Sequence, residues 1–183
     1  FAIWDRKTET LTLVRDHFGV KPVYWWQQKG TLIFASELGG ILASGLVSKD
    51  INPEAIHHLL SIQAVPAPLS MITGVNLLPP GSYLTWRKGR PAVQEYYRLN
   101  FVEDDGLGAS SQPYIERTRA LLETAVRSQQ QADVPLGVAL SGGIDSSAIT
   151  VLLSGALQEQ LLTYSLRSDD VFGDRTLDEI RYA

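Results

Sequence analysis

Cysteine is absent from all 183 residues. That excludes disulfides, thiolate metal sites and a cysteine nucleophile within this stretch. No apolar run approaches the ~20 residues that a membrane helix needs. No basic region followed by an apolar core marks a signal peptide. An excess of positive charge is missing too: the formal net charge is −4 and the pI about 5.3, so no basic surface points to nucleic acid. There are no repeats and no blocks of like charge. Hydrophobic residues at 44% and charged residues at 20% suit a soluble, globular protein. The length suits one ordinary domain or parts of two. Phe1 opens a strand-like run and Leu177 to Ala183 reads as a helix cut in progress, so the expectation is an internal fragment of a longer, cytoplasmic protein.

The most informative stretch is Leu140-Ser141-Gly142-Gly143-Ile144-Asp145-Ser146-Ser147. It follows the apolar run Leu136–Leu140 and precedes Ala148–Leu153, which is compatible with a helix. Strand, glycine turn and helix together aim unpaired backbone N–H groups, at the positive end of a helix dipole, toward one spot. Two glycines permit close approach to an anion, and the hydroxyls of Ser141, Ser146 and Ser147 add donors. This describes a phosphate cradle. The Walker pattern is ruled out because no lysine lies nearby, and the dinucleotide fingerprint because it needs three spaced glycines. Asp145 would repel phosphate unless a divalent cation lies between them, and magnesium is commonly held by one or two carboxylates plus phosphate oxygens. The alternative is a serine-capped helix after a glycine turn, with Asp145 stabilising the helix start.

The remaining pattern is mixed. Residues 1 to 36 read as strands, with Gln27-Gln28-Lys29-Gly30 as a hairpin turn between Val23–Trp26 and Leu32–Ala35. Ser36 is expected to cap a short helix from Glu37 to Ala43, which Gly39-Gly40 weakens by about 1 kcal/mol per glycine. Asn52-Pro53-Glu54 reads as a helix start. Two more strands are expected at Ser82–Trp86 and Val93–Tyr97. On such alternating strands one member of each pair Trp25-Trp26 and Tyr96-Tyr97 would face the core, so base stacking is not implied. A helix from about Pro113 to Gln130 would present Ile115, Leu121, Leu122, Ala125 and Val126 on one face. A strand over Leu161–Leu166 completes a parallel α/β unit with a ligand site at its carboxyl end. Arg15 to Pro22 reads as a tight connection in which Asp16 accepts local backbone donors or pairs with Arg15 or Lys21. His17 is an acid–base candidate by residue type alone. His57 and His58 are adjacent in a helix and lack metal-binding spacing.

Ser-Gly-Gly-x-Asp-Ser-Ser resembles the pyrophosphate loop of ATP pyrophosphatases. Phe1–Asp5, Arg15–Tyr24, Phe34–Glu37, Val65–Pro68 and Leu78–Gly81, in that order, resemble the glutaminase domain of class II amidotransferases. With Ala132–Gly137 running into the loop, the chain is similar to the glutamine-hydrolysing asparagine synthetase family. The resemblance implies an α+β glutaminase part of N-terminal-nucleophile type over 1–100, an incomplete αββα sandwich. Residues 101–112, acidic and rich in glycine and serine, read by composition as a linker; the resemblance then implies an incomplete α/β parallel-sheet part of ATP-pyrophosphatase type over 113–183, adenine nucleotide alpha hydrolase-like. The implied activity is ATP-dependent amidation of aspartate through an aspartyl-adenylate, with ammonia drawn from glutamine and AMP and pyrophosphate released. Glutamine, aspartate and ATP are the implied substrates, with Mg2+ as cofactor and a homodimer as a possible assembly. The implied nucleotide-binding residues are Leu140, Ser141, Gly142, Gly143, Asp145, Ser146, Ser147 and Leu166, with Asp145 on the metal. Leu140 and Leu166 would contact the adenosine part. The family's nucleophile is an N-terminal cysteine, which this stretch lacks; no catalytic residue is expected here, and the fragment alone is expected to be inactive. Alternatives are a relative amidating another carboxylate, as on a polysaccharide or in β-lactam closure, and a non-enzymatic ATP-binding module.

Overall fold

The computed structural model describes residues 1–101, 110–156 and 161–165. The chain divides into two compact units, Phe1–Val102 and Glu103–Ala183.

The first unit is built on antiparallel strands: β1 Ala2–Asp5, β2 Thr10–Val14, β3 Tyr24–Gln28, β4 Thr31–Ala35, β5 Asn76–Leu77, β6 Ser82–Arg87 and β7 Arg90–Glu95. They form two sheets, one ordered β1-β2-β6-β7 and the other β4-β3-β5. The expected hairpin is present but tighter than expected: Gln27 and Gln28 pair within β3, and Lys29 and Gly30 alone join it to β4, with φ of 48° and 79°. Positive φ at both central residues is the twist-matched geometry of a two-residue hairpin. Strand β7 stops at Glu95, short of the expected Tyr97. The N–H groups of Tyr96 and Tyr97 both turn to the Gly81 carbonyl instead of continuing the ladder.

Two apolar clusters flank the smaller sheet. Leu13, Leu78 and Leu84 are buried with Leu11, Val23, Trp25, Leu32 and Trp86 against them. Ile41, Val47, Ile72 and Val75 are buried with Tyr24, Trp26, Ile33, Ala35, Leu38 and Leu42 against them. Trp25 therefore packs into one cluster and Trp26 into the other. This corrects the expectation of one inward and one outward ring: β3 is covered on both faces.

Two helices, α1 Leu38–Leu42 and α2 Pro53–Ile62, follow the hairpin. Glu37, not Ser36, holds the cap position of α1, and it makes no side-chain cap bond. Glu37 itself is extended, with φ of −135° and ψ of 149°, which displaces the start by one residue. Gly40 has a packing role as well as a helix cost. A Cβ there would lie 2.9 Å from the Ala35 Cβ, so its absence lets α1 sit close to β4. Asn52 caps α2 as expected, its side chain accepting the Glu54 N–H at 3.0 Å, with Pro53 in the first turn.

The second unit holds α3 Gln112–Ser128, β8 Gly137–Ala139, α4 Ile144–Ala156 and β9 Leu162–Tyr164. Helix α3 packs against α4, with Ala125 and Val126 half-buried, while Ile115, Leu121 and Leu122 remain exposed. Strands β8 and β9 pair in parallel, Gly137 with Leu162 and Ala139 with Tyr164. The bare Gly137 leaves room for the Tyr164 ring, since a Cβ there would lie 2.5 Å from it. Of the expected linker 101–112, residues 102–109 lie outside the described residues, as does Leu166.

Candidate nucleotide site

The strand–turn–helix expected at Leu140–Ser147 is present. Leu140 follows β8 and donates its N–H to the Tyr164 carbonyl at 2.8 Å, extending the parallel ladder by one residue. The Ser165 hydroxyl then donates to the Leu140 carbonyl at 2.7 Å. Gly142 has φ of 82°, a left-handed conformation that reverses the chain into α4.

Two of the serines have a different task from the one read in sequence. The Ser146 hydroxyl donates to the Gly143 carbonyl at 3.1 Å. Its one proton is then occupied, so in the 3.0 Å contact between the two hydroxyls Ser141 is the donor. The Ser141 N–H donates to the Ser146 Oγ at 3.3 Å, and the Gly143 N–H to the Ser141 Oγ at 3.3 Å. Ser141 and Ser146 thus latch the turn to the first turn of α4. The Ser147 N–H is also engaged, donating to the Gly143 carbonyl at 3.1 Å as the first regular helical bond.

What remains open is narrower than the whole span. Among the described residues, the N–H groups of Gly142, Ile144, Asp145 and Ser146 have no acceptor, and the Ser147 hydroxyl has no partner. Four unpaired donors at a helix start are what an anion recruits. The Asp145 side chain is exposed in the first turn of α4, within the same small region. Leu140 is half-buried at the strand end.

Among the described residues no group of three His, Cys, Asp or Glu side chains is disposed to hold a metal. Asp145 is the carboxylate of this loop and would be the protein ligand of a magnesium ion bound with phosphate. The His57 and His58 rings lie 5.8 Å apart.

The first unit has a feature not anticipated from sequence, a cavity of about 610 Å³ beside Arg15. Val14, Asp16, His17, Phe34, Ser36 and Tyr96 are among its lining residues. The Arg15 guanidinium is buried and bonded to three carbonyls: Nε to Lys21 at 3.1 Å, Nη1 to Leu78 at 2.6 Å and Nη2 to Gly19 at 2.8 Å. Asp16 pairs with neither Arg15 nor Lys21 through its side chain. Its carboxylate accepts the N–H groups of Val20, Phe18 and Lys21 at 3.0 to 3.2 Å. These bonds, that from Val20 foremost, hold its pKa below the ordinary carboxylate range. The Tyr96 hydroxyl donates to the Arg15 carbonyl at 2.7 Å, and the His17 ring lies 4.3 Å from that of Tyr97. The tyrosine pair clamps this connection, and His17 is an aromatic contact within it.

Two family models match, in chain order. Residues 1–97 match the glutamine amidotransferase domain, and residues 117–183 match asparagine synthase. The chain belongs to the glutamine-hydrolysing asparagine synthetase family. It is 30% identical over 171 residues to asparagine synthetase [glutamine-hydrolyzing] 3 of Bacillus subtilis, covering 91% of this chain and 27% of that protein. It is 32% identical over 151 residues to putative asparagine synthetase [glutamine-hydrolyzing] 2 of Methanocaldococcus jannaschii, covering 81% and 29%. Amidase chry2 of Gibberella zeae is 32% identical over 162 residues, covering 87% and 23%. The chain therefore spans under a third of the length of these curated relatives.

Proposed function

We propose that the protein containing this chain makes asparagine from aspartate, using ATP and ammonia from glutamine. The observation that supports this most directly is the set of four acceptor-free N–H groups at the start of α4, beside an exposed carboxylate. In this reading, a side-chain carboxylate oxygen of aspartate bonds to the α-phosphorus of ATP, and the bond to the β-phosphate oxygen breaks. Pyrophosphate leaves. The N–H groups of Gly142, Ile144, Asp145 and Ser146 bind its developing charge, and the Ser147 hydroxyl adds a donor. Magnesium, held by Asp145 and phosphate oxygens, would supply further charge neutralisation. Ammonia then bonds to the acyl carbon, AMP leaves with the bonding pair, and one proton passes to solvent. Leu140, which follows β8, and Leu166 are assigned to the adenosine part by family resemblance.

The test is Asp145→Ala in the intact protein, with pyrophosphate release and glutamine hydrolysis measured in parallel. Aspartate- and ATP-dependent release should fall by at least a hundredfold, taking about 3 kcal/mol as the scale of one electrostatic catalytic element. Glutamine hydrolysis should stay largely intact. Unchanged release would remove Asp145 from the site. Release with a different carboxylate, and none with aspartate, would reassign the acceptor and leave the phosphate loop standing.

A further inference from the structure

Three hairpin tips in the first unit converge on one end of its two sheets. The β1–β2 connection carries Arg6 and Lys7. It lies beside the β6–β7 turn, because Thr10 pairs with Arg87 across β2 and β6. The β6–β7 turn carries Lys88 and Gly89, flanked by the paired residues Arg87 and Arg90. The β3–β4 turn, Lys29-Gly30, belongs to the other sheet, yet a Cβ on Gly89 would lie 3.5 Å from the Gly30 Cα. Six exposed cations thus meet at one end: Arg6, Lys7, Lys29, Arg87, Lys88 and Arg90.

Their charge is not answered locally. Asp5 turns its carboxylate inward on its own turn, accepting the Lys7 N–H at 2.8 Å and the Thr8 hydroxyl at 2.8 Å. Glu9 is the other carboxylate of these tips. Among the described residues none of the six cations is in an ion pair; the pair present there is Arg98 with Glu95. Six cations against two carboxylates make this end positive. Outside the tips the first unit carries four cations and five carboxylates, so its positive charge is concentrated at this end.

The choice of residue type points the same way. Lys29 and Lys88 have φ of 48° and 49°, each followed by a glycine of positive φ. Asn, Asp and Gly are the residues that take the first position of such a turn readily. Two separate hairpins place lysine there, in a conformation that L side chains seldom adopt.

We propose that this end of the first unit is a docking surface for an acidic protein segment. Neighbouring strands stand about 5 Å apart and packed sheets about 10 Å apart, so the tips span a few residues of extended peptide at about 3.3 Å each. Arginine forks suit carboxylates, which they bind in bidentate fashion. The patch is only a few residues across, which suits a short extended segment better than a long nucleic acid or a membrane plane.

The experiment uses the intact protein and fluorescein-labelled decaglutamate in fluorescence anisotropy at low and physiological salt. Variant Lys29→Asn with Lys88→Asn removes two charges while installing Asn-Gly, the favoured turn pair, so the hairpins keep their fold. The expected results are salt-sensitive binding of the peptide, about fivefold to tenfold weaker in the double variant, with pyrophosphate release unchanged. No binding of decaglutamate at low salt would overturn the proposal. So would equal binding by the double variant, or tighter binding to a single-stranded oligonucleotide or to phosphatidylserine vesicles than to the peptide.

Discussion

Gly142→Ala tests the geometry of the phosphate loop without touching a charge. Gly142 sits at φ of 82°. A left-handed conformation costs an L residue with a Cβ roughly 1–2 kcal/mol. The Ser141–Ser146 latch and the β8–β9 ladder hold the turn from both sides, so the strain has two outlets. If the turn keeps its shape, the folded state loses that energy and the melting temperature falls. If the turn relaxes, Gly142, Ile144, Asp145 and Ser146 no longer aim together, and apparent nucleotide affinity falls by the fraction of competent loop. An energy of 1–2 kcal/mol corresponds to a factor of about 5–30. The assay is therefore paired: calorimetric titration of ATP with magnesium, and thermal unfolding of the same variant in the intact protein. The two losses should together account for the strain. A variant that binds ATP within twofold of the parent and melts at the same temperature would refute the claim that this turn must be left-handed to form the site.

Arg15→Lys should destabilise the first unit by about 2–4 kcal/mol in chemical denaturation, because one ammonium cannot replace a fork bonded to three separate carbonyls. Leu84→Ala, at a fully buried position between the sheets, should cost about 2–5 kcal/mol by the same measurement. Asp16 has a folded pKa below its unfolded value, so the stability it contributes is complete above the ordinary carboxylate range. That contribution is lost as pH falls through the lowered folded value. Asp16→Asn should flatten the acid limb of the stability–pH curve, read by urea titration from pH 6 downward, while an unchanged limb would show that its N–H bonds persist in the unfolded chain.

Local chemistry was legible wherever one residue type dictates a backbone geometry. Asn52-Pro53-Glu54 starts α2, Lys29-Gly30 makes a two-residue hairpin, and Gly142-Gly143 separates β8 from α4. Contacts that depend on three-dimensional neighbours were not. Trp25 and Trp26 alternate correctly about β3, but alternation predicts a solvent face only when one side of a sheet is open; here Ile41, Val47, Ile72 and Val75 cover the second side. In sequence Asp16 is open between local backbone donors and a pair with Arg15 or Lys21. The turn takes the first option, aiming the carboxylate at backbone N–H groups; the guanidinium is left to carbonyls, one of them 63 residues away at Leu78.

The candidate site shows the same division at higher resolution. A motif of glycines and serines specifies that a cradle is present, but not which donors stay available to a ligand. Three hydroxyls and a run of N–H groups look equivalent in sequence. In the folded loop the Ser146 proton is committed to the Gly143 carbonyl, and this makes Ser141 the donor in the serine pair. Two serines therefore act on the backbone, while Ser147 keeps its hydroxyl unpartnered among the described residues. This separates their expected effects. Ser147→Ala removes one donor and should weaken nucleotide binding with little change in stability. Ser146→Ala leaves the Ser141 N–H without its acceptor and loosens the turn, so it should weaken binding and lower local protection against hydrogen exchange at Gly143 together. Equal exchange in the two variants would mean that the serine latch does not hold the cradle in shape.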